Sequence, residues 1–251
     1  DKALSVLESG GAQVDRPRHD RLGARLRRVH HAASAQFQGS HIDLHHRLDS
    51  MPHLMGASFN DLHERREVIH PGGVALPTLD PLDACVYVAS HGSQDNWAQL
   101  RSVVDFVLAA SAISDDWPTL FDRAAALGVR ARLGVAIEVA RYLVPEWPSQ
   151  SRRERKMADW AWSRHKSGRM TRGSGHPRDA MGTFAYWIAS EGDARSLAYA
   201  VERLLWLPSA MATTNLPDKL WWLYPLAAPA KVGGRLAARA RSGRAPDSSE
   251  Y

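Results

Sequence analysis

The chain has 251 residues, of which 44% are hydrophobic and 24% are charged, as in ordinary globular proteins. No uninterrupted apolar run approaches the roughly 20 residues that span a bilayer, so no membrane partner is predicted, and the single cysteine, Cys85, excludes an internal disulfide and favours a reducing cytoplasm. Lys and Arg outnumber Asp and Glu by 32 to 27, a net charge of +5 that permits anionic partners such as nucleotides or nucleic acid.

The first part of the chain is predicted to contain short strands. A helix over residues 3–7 ends at Gly10-Gly11, and a basic stretch of residues 16–28 follows. Residues 29–38 and 41–48 are predicted strands joined by a tight turn at Gly39-Ser40. Beyond them, the pattern predicts a short helix and then a second hairpin around Pro71-Gly72-Gly73, over residues 59–64, 67–70 and 74–77.

From Thr78 onward the hydrophobic period changes from two to about 3.6, which predicts a helical body. Thr78 is the expected N-cap, Asp80-Pro81 opens the first helix, and His91-Gly92 closes it after about Ser90. Further helices are predicted over residues 97–110, 117–127, 130–143, 180–189, 194–205, 218–224 and 230–241. In the helix over residues 97–110 the predicted apolar side consists of Trp97, Leu100, Val104, Val107 and Leu108.

The predicted fold class is therefore α+β, with a small mixed or antiparallel N-terminal sheet followed by a mainly α-helical body. The predicted domains are residues 1–78 and 79–245, with a disordered tail over residues 246–251. Residues 149–156 and 166–178, rich in basic residues, Ser and Gly, are predicted to be exposed connections around a short helix with Trp160 and Trp162. Cys85 lies in an apolar helical run, which predicts a buried, inert thiol.

One predicted strand gathers charged and polar groups around a single carboxylate. Side chains alternate between the faces of a strand, so His41, Asp43, His45 and Arg47 share one face, and the apolar Ile42, Leu44 and Leu48 share the other. The first face could hold a divalent metal, supply a general base or orient a histidine. It could equally be the solvent face of an edge strand, where mixed charges discourage aggregation.

Two further interpretations of the charged residues stay open. Zinc accepts imidazole and carboxylate ligands, so His41, Asp43 and His45 could bind it, although the established zinc-binding spacings are missing. The arginines near both ends of the chain could contact phosphates of a nucleic acid. The affinity for a nucleic acid would then fall steeply as the salt concentration rises. A solvated surface is the favoured interpretation of those arginines.

The run His41-Ile42-Asp43-Leu44-His45-His46-Arg47-Leu48 resembles the strand pattern IDLHW-R-L of a bacterial family of uncharacterised nucleotidyltransferases. The resemblance continues through the short helix after Phe59, through Thr78-Leu79-Asp80-Pro81, and through a helix pair with the pattern H…W-LR…D. That last pattern matches His91, Trp97, Leu100-Arg101 and Asp105. The strand pattern is not matched at His46, where the family commonly has an aromatic residue.

The resemblance implies the fold of the DNA polymerase β-like nucleotidyltransferase superfamily and transfer of a nucleoside monophosphate from an NTP to an unidentified acceptor. That chemistry uses two Mg²⁺ ions held by three carboxylates. Asp43 matches the third carboxylate, as a metal ligand and catalytic residue. The residues implied to bind substrate are His41, His45, Arg47, His91 and Arg101.

The Gly-Ser turn and the Asp-x-Asp pair of that superfamily are expected upstream of Ala3 and are not in this sequence. Two interpretations follow. The chain is a fragment of a longer nucleotidyltransferase, which the non-methionine start favours, or it is a binding or regulatory module that keeps the fold without a complete metal site.

Overall fold

The computed structural model describes residues 2–14, 20–29, 31–113, 116–166, 185–186, 189, 194–206 and 216–226. These residues group into two compact units, the first within residues 1–52 and 197–245 and the second within residues 53–196. The antiparallel sheet near the N-terminus and the helices after it confirm the predicted α+β class. The domain limits 1–78 and 79–245 stay a prediction. The tail over residues 246–251 and the predicted helix over residues 230–241 lie outside the described residues.

The first unit contains a three-stranded antiparallel sheet in the order β1-β2-β3. Its elements, in chain order, are α1 (Lys2–Ser9), β1 (Gln13–Val14), α2 (Asp20–Val29), β2 (Ala32–Phe37) and β3 (Ser40–His45). The predicted first helix and the first hairpin are confirmed. The strand assignment is wrong for Val29, which ends α2, and the second strand stops at His45 instead of Leu48.

The hairpin turns one residue earlier than predicted. Gln38 and Gly39 occupy the turn with φ values of 47° and 79°, so Phe37 pairs with Ser40. Positive φ at both central residues matches the right-handed twist of the flanking strands. Glycine adopts such values readily, and Gln38 is held there by the ladder on either side.

The second unit begins with a short helix and a two-stranded hairpin, followed by packed helices. They are α3 (Phe59–Arg65), β4 (Glu67–Ile69), β5 (Leu76–Thr78), α4 (Pro81–Gln94), α5 (Leu100–Ser111), α6 (Trp117–Ala126), α7 (Arg130–Ala140) and α8 (Arg152–Lys166). The chain also contains α9 (Ala194–Leu205) and a 3-10 helix over Asp218–Leu223.

Side-chain caps explain where several of these helices begin. Ser58 and Asp61 form a reciprocal capping box at α3, and Asp80 accepts from the backbone N–H groups of Leu82 and Asp83 at α4. Thr78 is therefore wrong as the N-cap, because it belongs to β5. Asp116 caps α6, because its side chain accepts from the backbone N–H of Thr119.

The core of the second unit surrounds α7, which is buried from Arg132 to Ala140. Its buried span is apolar except for Arg132, which donates to Ser90, and Glu138, which accepts from Arg141. Cys85 packs in this unit with no exposure, and burial raises the pKa of its thiol to about 12, which confirms the prediction of an inert thiol. No helix in the described ranges has the length and apolar character needed to cross a bilayer.

Three predictions for this unit are wrong. Helix α4 continues to Gln94, so His91-Gly92 lies inside it instead of closing it. Helix α5 begins after Trp97 and buries Val103, Phe106 and Ala110, so Leu100, Val104 and Leu108 of the predicted apolar side are exposed. Residues 152–156, predicted as an exposed connection, form the first turns of α8, which also contains Trp160 and Trp162.

Candidate functional site

The exposed face of β3 carries Asp43 between two histidines. His41, Asp43 and His45 are exposed, whereas Ile42 and Leu44 on the opposite face are half-buried, as the alternation predicts. Among the strands that the structure describes, in the order β1-β2-β3, β3 lies at the edge of the sheet. Because the Asp43 side chain is exposed, its carboxylate is presented to solvent.

Cross-strand pairing positions the groups around the Asp43 carboxylate. Ser34 of β2 lies directly opposite Asp43, and its hydroxyl donates a hydrogen bond of 2.7 Å to Asp43 Oδ1. His41 Nε2 lies 3.1 Å from the same oxygen. Gln36 Nε2 lies 2.9 Å from His41 Nδ1 and so fixes the other side of the imidazole. The arrangement orients both the carboxylate and the ring.

The surroundings of Asp43 favour its ionised form. The Ser34 hydrogen bond lowers the pKa of the Asp43 carboxyl, partial burial opposes that change, and His41 and His45 lower the pKa further. The side chain keeps 47% exposure. At neutral pH Asp43 is thus a carboxylate that only accepts hydrogen bonds and can reach a ligand from solvent.

Arg47 lies beyond the end of β3, so the strand alternation that places it on the face of Asp43 does not extend to it, and its role in substrate binding stays a prediction. Strand β3 ends at His45, and the chain bends before Arg47. Arg47 Nη2 donates a hydrogen bond of 3.0 Å to the carbonyl oxygen of Arg28. His45 stays on the strand face, with its ring edge-on to His31 at a centroid distance of 4.8 Å.

His91 and Arg101 belong to the second unit, where each lies near an acidic residue one turn along the chain. His91 Nδ1 lies 3.6 Å from Asp95 Oδ2, and Arg101 Nε lies 3.6 Å from Asp105 Oδ2. Exposed pairs of this kind contribute only about 0.3–0.5 kcal/mol to stability. Their role in substrate binding stays a prediction.

The described residues do not form a complete metal site. Within them, no group of three His, Cys, Asp or Glu side chains is arranged to hold an ion. Mg²⁺ prefers oxygen ligands and is commonly bound by one or two carboxylates together with waters and substrate phosphates. The carboxylate of Asp43 fits that partial role, and the soft or imidazole-rich set that zinc prefers is not assembled in the described part of the chain.

Replacing Ser34 with alanine is expected to raise the pKa of Asp43. The Ser34 hydroxyl donates to the charged form, so its removal favours protonation and moves the titration midpoint to higher pH. Carbon-13 NMR titration of the Asp43 carboxyl measures the change. Asp61, whose pKa is lowered by Ser58, is the internal control and should titrate as before. An unchanged Asp43 midpoint would show that Ser34 does not orient this carboxylate.

Sequence reasoning overlooked Ser34 and Gln36, although a signal was present. With a two-residue turn, each β3 side chain on the polar face faces a β2 residue at a fixed register, and Ser34, Gln36, His41 and Asp43 form two such pairs. It also overlooked Asp83, which is fully buried and accepts hydrogen bonds from Arg65 and Arg123. No local pattern brings together residues so far apart in the chain.

Comparison with known proteins identifies one family. A family model described as "Uncharacterised nucleotidyltransferase" matches residues 1–145, which include the β3 strand and helices α1 to α7. No curated protein matches the chain. No solved structure matches it either.

Proposed function

Because this chain belongs to the family of uncharacterised nucleotidyltransferases, we propose that it transfers a nucleoside monophosphate from an NTP to an acceptor, with Mg²⁺ held in part by Asp43. The observation that supports a role for Asp43 is its geometry. It is an ionised, half-exposed carboxylate on an edge strand, oriented by Ser34 and flanked by two imidazoles. The buried, reduced thiol of Cys85 agrees with a cytoplasmic location, which we also propose.

Each residue of the β3 face has a defined part in this proposal. The Asp43 carboxylate supplies an oxygen ligand, and bound Mg²⁺ would neutralise phosphate charge and favour departure of pyrophosphate. His41, whose two ring nitrogens contact Gln36 and Asp43, would hold the carboxylate in place, and His45, exposed on the same face, would lie beside the triphosphate or the acceptor. Further carboxylates would have to complete the ligand set, since Asp43 alone is a weak Mg²⁺ site.

We expect Asp43→Asn to weaken binding of MgATP, used as the probe nucleotide, by at least about tenfold. The change removes the negative charge and keeps the shape, so it removes metal ligation without opening a cavity. Isothermal titration calorimetry with MgATP, and with ATP in EDTA, measures the effect. Asp122→Asn, an exposed aspartate on α6, is the matched control and should bind as the unchanged protein does.

Two results would contradict the proposal. One is the absence of Mg²⁺-dependent nucleotide binding by the unchanged chain. The other is equal affinity in the Asp43→Asn and Asp122→Asn variants.

A second candidate function is a binding or regulatory module that keeps the nucleotidyltransferase fold without catalysis. It is favoured by the position of Asp43 on an edge strand, where mixed charges also serve to prevent sheet-to-sheet association. This candidate predicts that Asp43→Asn leaves nucleotide affinity unchanged and that no pyrophosphate is released from any NTP. Measurement of pyrophosphate release in the presence of Mg²⁺ separates the two functions.

A further inference from the structure

The second unit contains a cavity of about 610 Å³ near the start of α3 and the end of α6. Its lining includes His53, Asp61, Arg65, Arg123 and the backbone around Gly128. This volume is in the range that holds a small organic ligand. The cavity is formed by residues of one unit and does not include Asp43.

The two arginines at the cavity are fixed from their buried side. Arg65 donates from Nε and Nη2 to Asp83 Oδ2, at 3.1 and 2.8 Å, and Arg123 donates from Nη1 to Asp83 Oδ1 at 3.0 Å. The Asp83 side chain is 1% exposed and does not line the cavity. Asp83 therefore holds both guanidinium groups in place, and Asp80 Oδ2 lies 3.6 Å from Arg65 Nε beside it.

Each guanidinium keeps further donors beyond the Asp83 contacts. Among the described residues, no group accepts from Arg65 Nη1 or from Arg123 Nε and Nη2. The Arg65 and Arg123 side chains are 34% and 25% exposed, and both belong to the cavity wall. Hydrogen bonding to Asp83 raises the pKa of Arg65, so its charge is constant at any working pH.

We propose that this cavity binds a small organic oxyanion, through a phosphate or carboxylate group held by the free N–H donors of Arg65 and Arg123. The planar fork of a guanidinium matches both groups, and a fork already held by Asp83 loses little freedom on binding. The proposal is independent of the β3 face and adds a second ligand site to the proposed nucleotidyltransferase.

The remaining charges of the wall define the ligand further. Asp61 also lines the cavity, with its carboxylate engaged in the cap of α3, and the C-terminal residues of α6 bring the negative end of a helix dipole. Asp80 and Asp83 lie behind the wall, with Asp80 Oδ2 3.6 Å from Arg65 Nε, so the surroundings of the two guanidinium groups carry no net positive charge. A ligand with one oxyanion and with hydroxyl or amine donors elsewhere fits it better than a polyanion.

Titration of the full chain with inorganic phosphate and, separately, with acetate tests the proposal. NMR of arginine Nε–H groups follows binding without any substitution, and the resonances lost in Arg65→Lys and Arg123→Lys identify the two side chains. We expect saturable shifts of these two resonances with at least one anion. Phosphate alone would indicate a phosphorylated ligand, and acetate alone a carboxylic acid.

Each lysine variant keeps a positive charge that can pair with Asp83 but loses the planar guanidinium group. We therefore expect each to weaken anion binding about tenfold. Arg152→Lys, an exposed arginine at the start of α8, is the matched control and should bind normally. Absence of saturable shifts with both anions in the unchanged protein overturns the proposal. Equal affinity in the Arg65→Lys, Arg123→Lys and Arg152→Lys variants also overturns it. Asp43→Asn should not alter anion binding, so failure of this site and failure of the proposed function are distinguishable.

Discussion

Replacing Asp83 with alanine is expected to lower the free energy of unfolding by about 3 kcal/mol. Removing one partner of a buried ion pair costs about 3–5 kcal/mol, because the other charge is left uncompensated. Asp83 is fully buried and accepts hydrogen bonds from two guanidinium groups. The cost falls at the lower end of that range because Arg65 and Arg123 are partly exposed and can turn toward water, and because Arg65 keeps Asp80 as an acidic neighbour at 3.6 Å.

Urea unfolding of the full chain, followed by tryptophan fluorescence, measures this change. Asp105→Ala is the matched control, since Asp105 is also an aspartate paired with an arginine in the same unit, but the pair is exposed. That variant should lose no more than about 0.5 kcal/mol. Equal losses in the two variants would show that the Asp83 cluster does not stabilise the unit.

Replacing Gly92 with alanine is expected to lower the free energy of unfolding by about 2 kcal/mol, because overpacking a well-packed core costs about 1–3 kcal/mol. Alanine normally stabilises a helix interior relative to glycine by about 0.5–1 kcal/mol. At this position, however, a Cβ atom would lie 2.6 Å from Cη2 and 2.7 Å from Cε3 of Trp97. The indole has no exposure and packs against Phe106 at a centroid distance of 6.0 Å, so relief requires repacking of the core.

Gly134→Ala is the informative comparison for Gly92→Ala. A Cβ at Gly134 would also be too close to a neighbour, with Glu154 Cδ at 2.7 Å, but that neighbour is the end of a flexible side chain. Glu154 can move away at the cost of its hydrogen bond from the Ser151 N–H, which amounts to about 1 kcal/mol. A Gly92→Ala loss no larger than the Gly134→Ala loss would contradict the explanation by rigid packing.

The sequence predicted the local elements well where adjacent residues determine them. Period-two alternation correctly assigned His41, Asp43 and His45 to the polar face of β3, and the Asp80-Pro81 pair correctly opened α4. It was less accurate where elements end. The strand prediction extended to Leu48, although β3 ends three residues earlier, at His45, and Arg47 donates a hydrogen bond to the backbone of Arg28.

The apolar side of α5 shows why periodicity alone was insufficient. Leu100, Val104 and Leu108 repeat every four residues, yet they are exposed, and Val103, Phe106 and Ala110 face the core instead. Both sets have helical spacing, so the sequence does not choose between them. In the turn before α5, Asn96 and Trp97 have φ values of 53° and 56°, and the Trp97 indole packs on Gly92. This turn comes directly before the helix whose Val103 face, and not its Leu100 face, is buried.

The sequence by itself determined the fold class, the polar face of β3 and the position of Asp43 on it, because alternation and capping act between residues close in the chain. Only the tertiary structure decided that Ser34 orients Asp43 and that Arg65 and Arg123 meet at Asp83 beside a cavity. Those contacts depend on strand register and helix packing. Both are set by long-range burial of apolar surface, which local spacing does not specify.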